Sequence, residues 1–341
     1  MNELIRIQKT NQIDLIFQEL EKAARFSKHT RRTYRGILVR FEEWREGRPL
    51  TKRLVEEYQG ILKEERGLSY VTVNHHTAAI RWWARRLIDL VYDVPLPDKP
   101  AARENWKEVR EEIERHCKRV AKVENISGER VPAGRSINES ELRELMIACV
   151  QDQTPAGGRD RAMFALAWDT GMRRAELAKL VIEDIVAEDN GNGPAYTLIV
   201  SGKGNKQRKS FVYGGTAKCL KFWLNIRGAE PGPVFCRIRK GGHTVPKHKL
   251  SGEALRLLLE KRIKQARLSP FTWHDFRRTL IGNKLDRGYD LVTIGKFVGH
   301  ASTNTTAMYD RRPEEAQKNM ARDSAVPYHE MGLMDVPGDD G

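Results

Sequence analysis

Near its C-terminal end the chain reads GHASTNTTAMYDRR, residues 299–312, which sets His300 nine positions before Tyr309. A tyrosine is a weak nucleophile until something takes its proton, because a phenol with an ordinary pKa of about 10 is mostly neutral at pH 7. On one unbroken helix, nine positions would put the two side chains about 180° apart. The intervening ASTN supplies a turn that lets them converge, with Ser302, Thr303 or Asn304 capping a new helix that carries Tyr309. Three further stretches offer cations. DTGMRRAEL puts Arg173 at a helix start after a glycine, with Glu176 one turn on, and SGKGNKQR puts Lys203 in a hairpin turn. HDFRR sets His274 and Arg277 three apart, on one helical face. Fixed positive groups around a phenol are what attack on an anionic centre would need.

Other chemistries find little support. SGKGNKQRK lacks the spacing of a phosphate-binding P-loop, and His75 and His76 are adjacent, so they project differently from a helix. No acidic cluster is built for magnesium, so neither a metal nor a cofactor is expected. The four cysteines, Cys117, Cys149, Cys219 and Cys236, are far apart and form no CxxC pair, which fits a reducing, cytoplasmic setting better than a disulfide framework. No apolar run approaches the roughly 18 residues of a membrane span, and the acid-containing N-terminus does not read as a signal peptide. The informative number is charge: 60 Lys and Arg against 46 Asp and Glu give +14 over 341 residues. Such an excess suits a polyanion, and with no lipid anchor in view that polyanion is nucleic acid.

Two domains are expected from the length. Residues 13–122 read as almost continuous helix, in four amphipathic stretches. In the first, Tyr34, Ile37, Leu38, Phe41 and Trp44 share one face, with Ser27 or Thr30 as cap. The second opens at Thr51, buries Leu54, Val55, Tyr58, Ile61 and Leu62, and stops at Gly67. The third is capped by Ser69 and ends before Pro95, and the fourth runs through Trp106, Val109, Ile113 and Cys117. Their polar faces carry Arg31, Arg32 and Arg35, and Arg81, Arg85 and Arg86, a surface suited to phosphates together with Lys206 and Arg208. Residues 123–138 read as a linker, and a second domain over 139–325 opens with an Asn138–Glu141 capping box. It continues as helices through RDRAMFALAWDTGM and RRAELAKLVIEDI, then a hairpin, then helices near 216–227, 250–267, 272–287, 290–298 and 304–322. The acidic tail, 326–341, reads as loosely ordered.

The ordered set TGMRRAEL, GKGNKQR, HDFRRT, VGH and TTAMYDRR resembles the tyrosine recombinases, or phage-type integrases, the family of the Cre- and Xer-like site-specific recombinases. The resemblance covers nearly the whole chain and leaves no catalytic position substituted; Phe276 and Val298 are conservative departures. It implies an all-α, SAM-like core-binding domain ahead of a mixed α/β, mainly helical catalytic domain with a small antiparallel sheet. It carries the family's catalytic set onto Arg173, Lys203, His274, Arg277, His300 and Tyr309, with Glu176 in support. It also implies a 3′-phosphotyrosine intermediate, a free 5′-hydroxyl, a Holliday junction, and a homotetramer on two specific sites in double-stranded DNA. Physical reasoning allots the roles. Arg173 and Arg277 suit the two non-bridging oxygens and His300 adds a donor. His274 is the candidate proton acceptor, Lys203 the general acid, and Glu176 an orienting group. The tail is expected to dock on a neighbouring protomer through Val326, Leu333 and Met334. Two alternatives stay open: a type IB-like topoisomerase, and a non-enzymatic DNA-binding protein in which Tyr309 is incidental.

Overall fold

The computed structural model describes residues 12–128, 134–189, 191, 193–202, 206–300, 302–310 and 318. Lys203, the C-terminal tail and most of the helix expected beyond Asp310 lie outside the described residues. The chain divides into two compact units between Val131 and Pro132.

The first unit contains α1 (Gln12–Lys22), α2 (Lys28–Arg45), α3 (Lys52–Gly60), α4 (Tyr70–Asp93) and α5 (Pro100–Val120). Hydroxyls close three of the N-termini: Ser27 accepts from Thr30 N at 3.1 Å, Thr51 from Leu54 N at 3.2 Å, and Ser69 from Thr72 N at 3.3 Å. Ser27, not Thr30, is therefore the cap of α2. α3 runs on into one π-helical turn, Ile61–Glu65, before Gly67 reverses the chain. Pro100 starts α5 at the position where a missing N–H costs no helical bond. The apolar faces meet in a core of Leu38, Phe41, Tyr58, Leu62 and Trp83, with Tyr34 and Trp44 partly buried at its edge. α1 is a fifth helix beyond the four expected, and it adds Ile16 and Leu20 to that core. His76 is buried in that core, where its Nδ1 meets Tyr58 Oη at 3.3 Å and burial pushes its pKa down to about 4.

The stretch expected to be a linker is held at both ends. Asn74 exchanges two bonds of 2.9 Å with the backbone of Ile126, Gln59 donates to Glu124 O at 2.9 Å, and Val123 is buried. On the far side, Arg135 N donates to Asp275 Oδ1 at 3.1 Å and Ile137 N to Thr279 Oγ1 at 2.8 Å.

The second unit opens with α6 (Glu139–Val150), whose Asn138–Glu141 capping box forms as expected, and α7 (Pro155–Thr170). The short α8 (Arg174–Leu177) leads into a three-stranded antiparallel sheet of β1 (Ile185–Asp189), β2 (Pro194–Ser201) and β3 (Gln207–Val212), in that spatial order. Then come α9 (Gly214–Arg227), a ribbon of β4 (Cys236–Ile238) and β5 (Thr244–Lys249), α10 (Gly252–Gln265), α11 (Trp273–Asp286), α12 (Leu291–Val298) and α13 (Thr303–Ala307). RRAELAKLVIEDI is not one helix. After Leu177 the β-branched residues Val181, Ile182, Ile185 and Val186 break away, Val181 bridges Pro233, and a 3-10 turn delivers the chain into β1. The β4–β5 ribbon is also unannounced, because CRIRKGGHTVPKHK has no apolar alternation to mark it.

α7 is buried nearly all round, which removes the usual helical periodicity. Its Phe164 ring stacks on Phe276 at 6.0 Å and lies 5.4 Å from Trp273, so α11 packs directly on α7. A buried ion cluster joins α7 to α10: Arg262 pairs with Asp152 at 2.6 Å and Asp160 at 2.7 Å, and Asp160 also pairs with Arg159 at 2.8 Å. Arg262→Leu removes the central cation of the cluster, leaving Asp160 only Arg159, and should cost about 3–5 kcal/mol, read as a lower urea midpoint. The exposed Arg256→Leu should leave that midpoint unchanged.

Candidate active site

α7 ends at Gly171, which takes a left-handed φ of 59° as its C-cap. A Cβ there would lie 2.8 Å from Leu280 Cδ2 and 3.3 Å from Val298 Cγ1, so glycine alone lets the chain pass between α11 and α12. Two residues later Arg173 opens α8. Its backbone N–H donates to Glu176 Oε2 at 2.9 Å, its Nη1 to Glu176 Oε1 at 2.8 Å, and its Nη2 to the carbonyl of Gly299 at 3.2 Å. Burial acts to raise the Glu176 pKa, but Arg208 and the donors of Arg173 outweigh it and hold the carboxyl below the usual range.

At the start of α11 a Thr272–Asp275 capping box fixes the first turn, and with it His274 and Arg277. Arg277 is only 1% exposed. Its Nη1 donates to Gly171 O at 2.8 Å, while Nε and Nη2 have no hydrogen-bond partner among the described residues. Burial, and then the charge of Arg173, lower its pKa to about 9, which still leaves it a cation at pH 7. His274 Nε2 lies 2.6 Å from the Tyr309 hydroxyl. Burial first, then Arg277 and Arg278, push this imidazole below its ordinary pKa of 6.5, so it is predominantly neutral at pH 7.

His300 follows Gly299, the left-handed C-cap of α12. Its Nδ1 lies 2.8 Å from Thr306 Oγ1, and burial, then Arg277 and Arg173, push its pKa down to about 4. The turn between His300 and Tyr309 forms as expected, but Tyr309 stands in the turn after α13 rather than on the helix, its N–H donating to Thr306 O at 3.0 Å. The two rings are nearly parallel, 13° apart with centroids at 5.9 Å, and His274 sits at 6.0 Å. The tyrosine belongs to one buried apolar cluster with Leu280, Ile281, Leu285, Ile294 and Val298.

Arg173, Glu176, His274, Arg277, His300 and Tyr309 are thus linked through side chains and neighbouring carbonyls in one site. Lys203 lies outside the described residues, but its hairpin stem is present: Ser201 pairs with Gln207, and a Cβ on Gly202 would be 4.0 Å from Glu176 Oε1. Lys206 is exposed. Arg208, grouped from sequence with the phosphate contacts, instead donates to Glu176 Oε2 at 3.0 Å and Phe297 O at 3.2 Å. In the first unit Arg86 is bonded to the buried Glu19 and, at 3.1 Å, to Asp89. Arg81 donates to Val123 O at 3.0 Å and to Asn125, and Arg85 reaches Ala121 O at 3.4 Å. Arg31, Arg32 and Arg35 line a cleft of about 250 Å³ with Lys28, and the Arg35 guanidinium lies 3.7 Å from the centre of the Phe17 ring. Thr306 escaped the sequence reading, since nothing in TNTT distinguishes it from its neighbours.

XerD of Rickettsia conorii, a tyrosine recombinase, is 30% identical over 180 residues, which is 50% of this chain and 57% of that protein. XerA of Pyrococcus furiosus, also a tyrosine recombinase, is 29% identical over 177 residues, 52% of this chain and 57% of its own length. The chain therefore spans a little over half the length of these curated relatives. Among solved structures, a XerH site-specific recombinase bound to palindromic difH substrate in a post-cleavage complex superposes with a TM-score of 0.65 at 21% identity, covering 91% of this chain and 83% of that one. A lambda integrase tetramer bound to a Holliday junction gives 0.58 at 14% identity, over 92% and 83%. At such identities the likeness is one of fold. The profile of the phage integrase family matches residues 135–315, more than half of the chain, and the protein belongs to that family, the tyrosine recombinases.

Proposed function

We propose that the protein is a site-specific DNA recombinase that cuts and rejoins strands through a tyrosine–phosphate ester. The observation that carries this reading is the contact of 2.6 Å between His274 Nε2 and the Tyr309 hydroxyl, beside a buried Arg277 with two donors that have no partner among the described residues. With the imidazole neutral, the hydroxyl donates to Nε2 and its proton passes there as Tyr309 Oη bonds to phosphorus. The bond from phosphorus to the 5′-oxygen breaks, leaving a 3′-phosphotyrosine and a 5′-hydroxyl. Lys203 is the proposed source of the proton on that oxygen. Arg277 Nε and Nη2 and the guanidinium of Arg173 stabilise the added negative charge on the non-bridging oxygens. His300 donates from Nε2 while its Nδ1 accepts from the Thr306 hydroxyl, which suits a ring whose pKa is near 4. Attack by another strand's 5′-hydroxyl reverses the sequence, so the ester conserves the bond energy and no nucleotide cofactor is consumed. Exchange of one strand pair at a time through a Holliday junction, by four protomers on two sites, is proposed on the family's pattern. The cleft of Arg31, Arg32 and Arg35 is the proposed phosphate contact of the helical unit.

The direct test uses a duplex selected for binding from a random pool and nicked beside the cleavage point, so that religation fails. In EDTA, wild type should give a covalent protein–DNA band on a denaturing gel and Tyr309→Phe none. Tight binding with no band from either protein would leave a DNA-binding protein without this chemistry. Relaxation of any supercoiled plasmid, without exchange between paired sites, would point to a topoisomerase.

Two finer outcomes follow from the site. His274 acts as a base only when unprotonated, and its pKa lies below 6.5. Single-turnover cleavage should therefore be close to its plateau at pH 7.5 and fall as the pH drops, with a midpoint below 6.5; a midpoint above 7 would exclude His274 as the acceptor. Thr306→Val leaves His300 Nδ1 without its partner, a loss of about 1–3 kcal/mol, and should slow cleavage by roughly 10- to 100-fold. Thr306→Ser, which keeps the hydroxyl, should recover most of that rate.

A further inference from the structure

Arg208 projects from β3, opposite Val200 in the ladder, five positions after Lys203. Its side chain is 13% exposed, and two nitrogens of the guanidinium are engaged within the protein. Nη2 donates to Glu176 Oε2 at 3.0 Å and Nε to Phe297 O at 3.2 Å. The other oxygen of Glu176 takes Arg173 Nη1 at 2.8 Å, and Arg173 Nη2 reaches Gly299 O at 3.2 Å. These bonds close a ring through three segments distant in sequence: the stem of the Lys203 hairpin, the Arg173–Glu176 turn, and the end of α12 that delivers His300. Gly299 completes the fit. Its φ is 71°, and a Cβ on it would lie 3.0 Å from Arg208 Cδ and 3.1 Å from Arg208 Nη1.

We propose that Arg208 is a positioning residue of this site: by holding Glu176 and the Phe297 carbonyl together, it keeps the hairpin stem, Arg173 and His300 in one fixed relation. The inference deepens, and rests on, the recombinase reading. It replaces the phosphate contact expected for Arg208, whose side chain is only 13% exposed, against 41% for Arg173. Lysine cannot substitute, since one ammonium lacks the planar fork that spans two acceptors.

The test compares Arg208→Lys and Arg208→Ala with wild type in two measurements. In the first, cleavage of saturating nicked DNA is set against DNA affinity. Both variants should bind within about threefold of wild type and cleave roughly 10- to 100-fold more slowly, the usual scale for a group that orients another. In the second, the His300 imidazole is titrated by NMR in the DNA-free protein. Its midpoint should leave the wild-type value even in Arg208→Lys, which keeps the charge and loses the two-ended hold. A fall in affinity with full cleavage at saturation would overturn the proposal in favour of a phosphate contact. Wild-type cleavage and titration in Arg208→Lys would overturn it by showing that charge alone matters. If Arg208→Ala fails to fold, Arg208→Lys carries the comparison. If wild-type protein forms no covalent product, the recombinase reading fails, while the titration still decides whether Arg208 orients His300.

Discussion

Arg277 is almost completely enclosed, yet among the described residues only Nη1 of its guanidinium has a partner, the carbonyl of Gly171. An unpaired buried donor costs on the order of 1–3 kcal/mol, and here there are two, with the like charge of Arg173 nearby. Burial and that charge lower the pKa of the group and still leave it a cation at neutral pH. Such a site suits an anion. On the proposed reading a DNA phosphate supplies the missing acceptors, and the protein meets that phosphate with donors already in place rather than with side chains recruited from solvent.

Holding Arg277 there sets conditions on the rest of the unit. Gly171 must come close enough to offer its carbonyl, which its left-handed backbone and lack of a side chain permit against Leu280 and Val298. α11 must stay in register, which the Thr272–Asp275 capping box and the rings of Phe164, Trp273 and Phe276 ensure. Arg173 is tied across the chain to Gly299, and Arg208 to Phe297. Backbone carbonyls thus do much of the aligning. The same concentration of positive charge, together with burial, keeps His274 and His300 largely neutral, so one can accept a proton and the other can donate a hydrogen bond.

The helices were readable because their signals are local. Ser27, Thr51, Ser69 and Asn138 cap where hydroxyl and amide side chains should, and the prolines stop or start helices as their missing N–H requires. The segment after Leu177 misled because its apolar residues fit a helix by spacing and a strand by β-branching, and pairing with β2 decided the matter. The linker, 123–138, looked free because it contains Gly, Pro, Ser and Asn and has no apolar period, whereas its ends are held by Asn74, Gln59 and Thr279 from elsewhere in the chain. Within the site, motif order identified the residues that converge here, while the partnerships of Arg208 and Thr306 exist only after folding. A guanidinium on a strand has the same sequence signature whether it faces DNA or a buried glutamate.

The central claim is that Tyr309 attacks a phosphate held by Arg277. The most direct measurement is a crystal structure of the protein with nicked DNA and vanadate, which adopts the five-coordinate geometry of phosphorus under in-line attack. The account predicts vanadium bonded to Tyr309 Oη, with Arg277 Nε and Nη2 on its equatorial oxygens and His274 Nε2 still beside the tyrosine oxygen. Vanadium seated away from Tyr309, or an Arg277 whose two donors remain unpartnered in the complex, would contradict it.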